Sequence, residues 1–150
     1  KPTCEISMHL GCYIERSDIK AVIHTHPPIT TGLISAGIAL KPFYPDFVVI
    51  LGTRIPLVDY VIPGGEEIRQ AVVKQIKKHN VVLLKNHGAV AVGESLKEVF
   101  TRAWMTEESA KMQAIGMALG KIKYFTEKEI RGIENLQAED YRKMLLKKMK

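Results

Sequence analysis

Two short apolar runs joined by a polar turn constrain the fold of this chain more than any other feature. Val81–Leu84 contains only branched apolar residues, and a second apolar run, residues 89–92, follows the tripeptide Asn86-His87-Gly88. Short apolar runs bounded by turn residues are typical of buried strands, and so short a connection joins neighbours in an antiparallel pair. The sequence therefore predicts a β-hairpin, or a sharply bent pair of strands, in this region.

Further strands are predicted earlier in the chain. Residues 20–26, with the sequence KAVIHTH, have a β-branched centre and stop at Pro27-Pro28, which cannot donate backbone hydrogen bonds. The stretch 40–63 contains prolines at positions 42, 45, 56 and 63. Because proline is confined to edges and ends of strands, this stretch is expected to form short strands separated by turns.

Amphipathic helices are predicted between the strands. Apolar residues recur at steps of three and four within residues 5–16 and 66–79, and a shorter helix is expected over residues 29–37. Strands and helices are thus mixed along a chain of 150 residues, which is the length of one ordinary domain. We expect a single domain, residues 1–150, with one sheet and helices packed against it.

Two more helices are predicted after the hairpin. Ser95 and Glu98 have the spacing of a capping box at the start of a long helix that ends at Gly120. A last amphipathic helix is predicted within residues 126–149. The apolar stripe expected for the long helix consists of Leu96, Val99, Phe100, Ala103, Ala110, Ala114 and Met117.

Composition and charge exclude several classes of protein. The chain has 46% hydrophobic and 25% charged residues, which is typical of a soluble globular protein, and no apolar run is long enough to cross a bilayer. The net charge of +6 is concentrated near the C-terminus, at Arg142, Lys143, Lys147, Lys148 and Lys150. No recognition motif accompanies these basic residues, so we expect neither a nucleic-acid partner nor a membrane partner.

The two cysteines are predicted to be reduced. Along a helix, Cys4 and Cys12 would be separated by about 12 Å, which is too far for a disulfide bond. Free thiols favour a cytoplasmic location. The chain begins with Lys1 rather than methionine and has no signal peptide, so the natural N-terminus is expected to be missing.

Three histidines are candidate ligands of a divalent metal ion. His24 and His26 are two positions apart on a predicted strand, so both imidazoles are expected to enter one space at the carboxyl end of that strand. Two polar residues on a hydrated face would give the same pattern. His87 follows another predicted strand and would complete three protein ligands, the usual number for a catalytic zinc ion. The remaining histidines, His9 and His79, are interpreted as structural.

Four segments also follow the pattern of one known family. They are Pro2-Thr3-Cys4-Glu5, Met8-His9-Leu10, residues 21–26 (AVIHTH) and Leu84-Lys85-Asn86-His87-Gly88. In order and spacing they resemble the class II aldolase/adducin family, in particular its fuculose-1-phosphate aldolase-type members, across essentially the whole chain. The resemblance implies an α/β fold, namely a three-layer α/β/α sandwich with a largely antiparallel central sheet. It also implies a homotetramer with sites between subunits, and a chain that lacks the family's N-terminal portion.

The resemblance implies a metal-dependent lyase. In the family, the equivalents of His24, His26 and His87 hold Zn²⁺ or another divalent ion, and the equivalent of Glu5 is the catalytic acid/base. The implied reaction cleaves a ketose 1-phosphate, such as fuculose 1-phosphate, into dihydroxyacetone phosphate and an aldehyde. The ion would stabilise an enediolate, and the carboxylate would move the proton on the carbon next to the carbonyl.

The resemblance also implies contacts to the sugar-phosphate substrate. Thr3 and Cys4 match two serines that bind the phosphate in the family. Thr3 keeps the hydroxyl, whereas the Cys4 thiol is a weaker donor, so either the backbone makes that contact or the anionic group of the substrate differs. A family tyrosine falls near Tyr44, where Pro45 and Asp46 leave the register open.

Several alternatives remain open from the sequence. Methylthioribulose-1-phosphate dehydratases keep the same three histidines, whereas sugar-phosphate epimerases of the family typically have aspartate where this chain has Glu5. Lys85 could form a Schiff base, although no neighbour that would activate it is evident. An adducin-like interaction module has the fold without the metal ligands, and the three histidines argue against it.

Overall fold

The structure, a computed structural model, describes residues 2–136 and residue 144. In chain order its elements are helix α1 (Ile6–Glu15), strand β1 (Ala21–Thr25), helix α2 (Pro28–Ser35), a single π-helical turn (Phe47–Leu51), strand β2 (Leu57–Val58), helix α3 (Glu66–Ile76), strands β3 (Val81–Leu84) and β4 (Gly88–Gly93), and helices α4 (Leu96–Leu119) and α5 (Glu127–Glu134). None of the helices in this part of the chain is long and apolar enough to span a membrane.

The strands form one mixed sheet between two layers of helices. The sheet order is β1-β4-β3-β2, with β4 antiparallel to both of its neighbours and β2 parallel to β3. Side chains of β3 and β4 alternate between the two faces, so each strand contributes to two cores. One core lies against α2, the π-helical turn and α4, and the other lies against α1 and α3. This architecture confirms the three-layer α/β/α sandwich with a largely antiparallel sheet.

The predicted hairpin is confirmed, and its turn explains the polar tripeptide. β3 and β4 pair in antiparallel register from Val81 opposite Ala91 to Leu84 opposite Gly88. Asn86 has a φ of 55°, in the left-handed region that asparagine tolerates better than most residues. The amide of His87 then donates to the carbonyl of Leu84 over 3.0 Å and closes the turn.

The other predicted helices agree with the structure to within about three residues at their ends, which is the usual uncertainty of such boundaries. The predicted last helix is confirmed over α5, where Thr126 and Glu129 form a complete capping box. Its continuation beyond residue 136 lies outside the described residues, apart from residue 144, and so do the basic residues near the C-terminus.

The prediction of short strands over residues 40–63 is wrong for most of that stretch. Phe47–Leu51 is a π-helical turn, and Leu57–Val58 is the one strand that the structure has there. Phe47, Val48 and Leu51 are all buried, so the apolar run has a helical rather than an alternating burial pattern. A short apolar run fits either structure by periodicity alone, and packing against α4 decides it.

Helix α4 begins with half of the predicted capping box. The Ser95 hydroxyl accepts from the Glu98 amide over 3.2 Å, but the Glu98 carboxylate accepts from the Glu94 amide over 2.7 Å instead of from Ser95. Glu98 also forms an ion pair with Arg102. Both carboxylate oxygens of Glu98 therefore have partners other than the Ser95 amide.

The predicted apolar stripe of α4 is only partly the buried face. Leu96 and Phe100 are exposed, whereas Thr106, Ser109 and Gln113 are completely buried. Gln113 donates to the carbonyl of Ala39 over 3.0 Å and accepts from the amide of Lys41, and Ser109 bonds the Tyr44 hydroxyl over 2.7 Å. These polar side chains attach the irregular segment after α2 to α4. A buried polar group is stable only when it is hydrogen-bonded in this way.

Gly88 permits the close approach of β1 and β4. A Cβ at this position would overlap the carbonyl oxygen of Thr25 and press on the ring of His26. Gly88→Ala is therefore expected to lower the free energy of unfolding by about 3 kcal/mol, because the backbone must shift to relieve the overlap. Urea denaturation measures this loss. Gly32→Ala is the matched control, because a Cβ there meets nothing within 4 Å and alanine favours the helix. An equal loss in both variants would contradict the prediction.

Candidate metal centre

The strand register brings the three predicted histidines to one end of the sheet. β1 and β4 are antiparallel, with His24 opposite Val90 and Thr25 opposite Ala89. The residues that precede β4 therefore lie beside the residues that follow β1. Because His87 is the last residue of the β3–β4 turn and His26 follows β1 directly, their side chains meet at this edge.

The three imidazole rings form a compact cluster. The ring centroids of His24 and His26 are 4.8 Å apart, those of His24 and His87 are also 4.8 Å apart, and those of His26 and His87 are 5.0 Å apart. The Nε2 atoms of His24 and His26 are separated by 3.0 Å. The rings thus present nitrogen atoms to one point rather than lying side by side on a hydrated face.

Glu5 completes the cluster. It precedes the first turn of α1, is 7% exposed and makes no side-chain bond to cap that helix. Its Oε2 lies 3.1 Å from the Nε2 of His24, and its Oε1 lies 3.4 Å from the Nε2 of His87. One ligand atom from each of the four residues falls within 4.8 Å of all the others. Three nitrogen atoms and a carboxylate therefore converge.

The protonation of His24 follows from its other ring nitrogen. Nδ1 of His24 lies 3.0 Å from the carbonyl oxygen of Ala89, which can only accept, so the ring hydrogen lies on Nδ1. In the neutral ring, Nε2 then carries a lone pair toward Glu5. Burial lowers the pKa of His24, as it does that of His87, and so favours these neutral rings. Neutral imidazole is the form that binds metal ions.

These residues fit a divalent cation. The contact between the His24 Nε2 and the Glu5 Oε2 joins two acceptors unless a cation lies between them. In addition, the Glu5 Oε1 is a buried oxygen without a hydrogen-bond partner among the described residues, which is costly for a carboxylate. Ligands at 2.0–2.1 Å around a tetrahedral ion are separated by about 3.3 Å. The contacts of 3.0 to 3.4 Å in the cluster are close to this separation.

The ring of His87 is held differently from that of His24. Its Nδ1 is buried and has no hydrogen-bond partner among the residues that the structure describes. By contrast, the Ala89 carbonyl orients His24, and this contact results from the pairing of β1 with β4, which sequence reasoning did not predict. An acceptor on the outer nitrogen of a ligand histidine fixes the direction of the inner one.

Other residues singled out in the sequence lie around the cluster or away from it. Thr3 and Cys4 are exposed just before Glu5, and the Thr3 hydroxyl accepts from the Glu5 amide over 3.3 Å. Tyr44 bonds Ser109 on α4. Lys85 forms an ion pair with Asp59, with 3.6 Å between Nζ and Oδ1. Cys4 and Cys12 are both free thiols, as predicted.

Comparisons with known proteins show which family the chain resembles. The family described as Class II Aldolase and Adducin N-terminal domain matches residues 1–114. The chain is 33% identical over 121 residues to L-fuculose phosphate aldolase of Methanocaldococcus jannaschii, covering 81% of this chain and 65% of that relative. It is 35% identical over 135 residues to 3-oxo-tetronate 4-phosphate decarboxylase of Escherichia coli K12, covering 87% of this chain and 63% of that relative.

A solved structure of L-fuculose 1-phosphate aldolase has the same fold. It superposes with a TM-score of 0.82 and 26% sequence identity, covering 94% of this chain and 64% of that chain. The chain thus spans somewhat less than two thirds of the length of these relatives. The family match, the identities and the shared fold agree, so the chain belongs to the class II aldolase and adducin N-terminal domain family.

Proposed function

We propose that the chain is a divalent-metal-dependent lyase that acts on a small phosphorylated sugar. One observation carries the proposal: three histidine Nε2 atoms converge with the buried carboxylate of Glu5. In this proposal His24, His26 and His87 hold Zn²⁺ or another divalent ion. Three protein ligands leave room for substrate, whereas structural zinc sites use four strong ligands and are closed. The relatives named as lyases of sugar phosphates support the substrate class.

The proposed chemistry divides between the ion and Glu5. A bound divalent ion acts as a Lewis acid that stabilises negative charge on the oxygens next to the carbon–carbon bond that breaks. Glu5 delivers a proton to the carbon that keeps the electron pair after cleavage, and it removes that proton in the reverse direction. Glu5 is 7% exposed, so bulk water has little access to the carboxylate that moves this proton.

The preferred reaction is aldol cleavage of a ketose 1-phosphate. The bond between the carbon next to the carbonyl and the following hydroxyl-bearing carbon breaks. The hydroxyl of the departing half gives up its proton to solvent and becomes the carbonyl of an aldehyde. The retained half keeps the electron pair and takes the proton from Glu5 to become dihydroxyacetone phosphate, and Glu5 regains a proton from solvent. Fuculose 1-phosphate is the substrate suggested by the aldolase relatives. Glu5 also separates this activity from the family's epimerases, which typically have aspartate at that position.

Decarboxylation of a 3-oxo acid phosphate is the second candidate. The relative with 35% identity is a 3-oxo-tetronate 4-phosphate decarboxylase. Here carbon dioxide leaves in place of the aldehyde, and the same proton from Glu5 neutralises the carbon that keeps the electrons. The dehydratase activity considered from the sequence requires loss of water without carbon–carbon cleavage. One set of groups therefore serves three reactions that differ in the leaving group.

A panel of substrates tests the proposal. The metal-loaded protein is incubated with fuculose 1-phosphate, 3-oxo-tetronate 4-phosphate and methylthioribulose 1-phosphate, and the products are identified by mass spectrometry. Release of dihydroxyacetone phosphate together with an aldehyde supports the aldolase, release of dihydroxyacetone phosphate together with carbon dioxide supports the decarboxylase, and loss of water alone supports the dehydratase. A protein that binds no stoichiometric divalent ion and turns over none of them would be an adducin-like module, and the lyase proposal would be wrong.

We also propose that Thr3 and Cys4 contact the substrate phosphate at the start of α1. Cys4 is exposed and is expected to react with a thiol reagent in the folded protein, whereas Cys12 is completely buried and burial raises the pKa of its thiol to about 11. Dihydroxyacetone phosphate is expected to slow labelling of Cys4. Mass spectrometry of the labelled peptides measures this, with unreacted Cys12 as the internal control. Equal labelling rates with and without the ligand would contradict the contact.

The oligomeric state of the protein and its cytoplasmic location stay predictions. By resemblance to the family we propose a homotetramer with its sites between subunits. Sedimentation velocity on the purified chain measures the oligomeric state directly.

A further inference from the structure

The start of helix α2 lacks the groups that normally complete a helix. Its cap residue is Pro27 and its first residue is Pro28, and neither side chain can accept a hydrogen bond from the backbone. The amide of Thr31 donates to the carbonyl of Pro27 over 2.9 Å, which begins the helical hydrogen bonds. Only the amides of Ile29 and Thr30 are then left in the first turn without a partner inside the helix.

Glu107 of helix α4 binds both of these amides. Its Oε1 accepts from the Ile29 amide over 2.9 Å, and its Oε2 accepts from the Thr30 amide over the same distance. Oε2 also accepts from the Thr30 hydroxyl over 2.8 Å. Thr30 is completely buried and Glu107 is half-buried, so these bonds are partly shielded from water. A carboxylate with two backbone donors at a helix N-terminus is a strong, directional contact.

This contact lies very close along the chain to the metal-binding segment. Thr25 is the last residue of β1 and is fixed by its pairing with Ala89. Only His26 and Pro27 separate it from α2. His26 is exposed, and its ring bonds the ring of His24, whereas His24 itself is oriented by a backbone carbonyl. The position of His26 therefore depends on the path of the backbone between two anchored points.

We infer that Glu107 is a positioning residue for the His26 ligand of the metal centre. The backbone around His26 is anchored at the end of β1 and at the first turn of α2. The Glu107 carboxylate holds the first turn of α2 and so sets where the His26 imidazole meets His24 and His87. Glu107 touches neither the proposed ion nor the substrate. This inference rests on the proposed function, because it concerns a ligand of the proposed metal site.

Metal affinity and the absorption spectrum of bound Co²⁺ test the inference. Glu107→Ala removes both acceptors, and it is expected to weaken Co²⁺ binding by about tenfold to a hundredfold, the range for groups that orient metal ligands. The d–d bands are expected to change in position or intensity, because the direction of one nitrogen ligand changes. Glu107→Gln keeps the size and one acceptor oxygen, so its loss of affinity should be intermediate.

The control variant separates positioning from a general loss of stability. Ser95→Ala removes the side chain that caps α4, at the opposite end of β4 from the histidines, and lowers stability without touching α2. Its Co²⁺ affinity and spectrum are expected to match those of the unmodified chain. Wild-type affinity and spectrum in Glu107→Gln and in folded Glu107→Ala would overturn the inference alone. Absence of Co²⁺ binding in the unmodified chain would instead overturn the metal site and, with it, the inference.

Discussion

Glu5→Gln is expected to reduce turnover by about 10² to 10⁴ while the protein still binds its metal ion. General acid–base catalysis contributes a factor of this size, and glutamine keeps the shape and one acceptor oxygen of the residue but cannot carry the proton. The carboxylate is 7% exposed and lies against His24 and His87, so bulk water is poorly placed to replace it. Steady-state turnover of the substrate found in the panel measures the effect.

Exchange of substrate hydrogen with solvent deuterium isolates the step assigned to Glu5. The unmodified chain is expected to incorporate deuterium into dihydroxyacetone phosphate that is incubated with it in the absence of an aldehyde. If Glu5 moves the proton on the carbon next to the carbonyl, Glu5→Gln abolishes this incorporation. Glu15→Gln is the matched control, because Glu15 ends the same helix and pairs with Lys77. It should exchange at the wild-type rate.

The metal content of the same preparations distinguishes two roles of Glu5. Its oxygens lie 3.1 and 3.4 Å from the nitrogens of His24 and His87 that are proposed as ligands, so Glu5 is close enough to bind the same ion as well as to act as a base. Metal retained with exchange lost supports proton transfer. Metal lost together with exchange assigns Glu5 to holding the ion, and turnover within tenfold of the unmodified chain contradicts both roles.

The central hairpin and the histidine positions could be predicted because they depend on short-range patterns. Val81–Leu84 is apolar at every position and is buried at every position, and the turn that follows contains residues suited to tight backbone geometry. The spacing of His24 and His26 required only that β1 be a strand. The strand spacing therefore predicted that the side chains of His24 and His26 enter one space, and the family resemblance added His87 as the third candidate ligand.

The segment after α2 could not be predicted, because distant residues determine it. Prolines suggested short strands over residues 40–63, but Phe47–Leu51 winds into a π-helical turn against α4. The partners of this segment, Ser109 and Gln113, are polar residues that sequence periodicity assigns to a solvated face. Hydrogen bonds over a separation of 65 to 74 residues leave no periodic pattern in the sequence.

Glu107 is the clearest case of a site residue that the sequence did not reveal. It follows Thr106 and precedes Glu108 on a long helix, and its bonds to Ile29 and Thr30 cross more than seventy residues. The two prolines at the start of α2 do indicate that a residue outside the helix must accept hydrogen bonds from its first turn. Once a helix begins with residues that cannot cap it, some other acceptor must satisfy the free amides.

Removal of one histidine ligand is expected to have the largest effect on metal binding. Apparent binding energies of about 10–16 kcal/mol in structural zinc sites with four ligands correspond to about 2.5–4 kcal/mol for each ligand. His24→Ala should therefore weaken the affinity for Zn²⁺ by about 10² to 10³ and abolish turnover. Isothermal titration with Zn²⁺ measures the loss. His79→Ala is the matched control, because that histidine lies after α3 and outside the cluster.

Thermal unfolding gives a second measurement that does not depend on any substrate. An ion that binds only the folded chain stabilises it by about 4 kcal/mol at a thousand times its dissociation constant, which for a domain of this size raises Tm by roughly 8–16 °C. His24→Ala should lose most of this shift. In the absence of metal, its Tm should differ from that of the unmodified chain only by the effect of removing one side chain. The reason is that Glu5 and His24 join two acceptors when no cation lies between them, so this contact adds little to the metal-free fold. Equal shifts in His24→Ala and the unmodified chain would mean that the ion binds elsewhere.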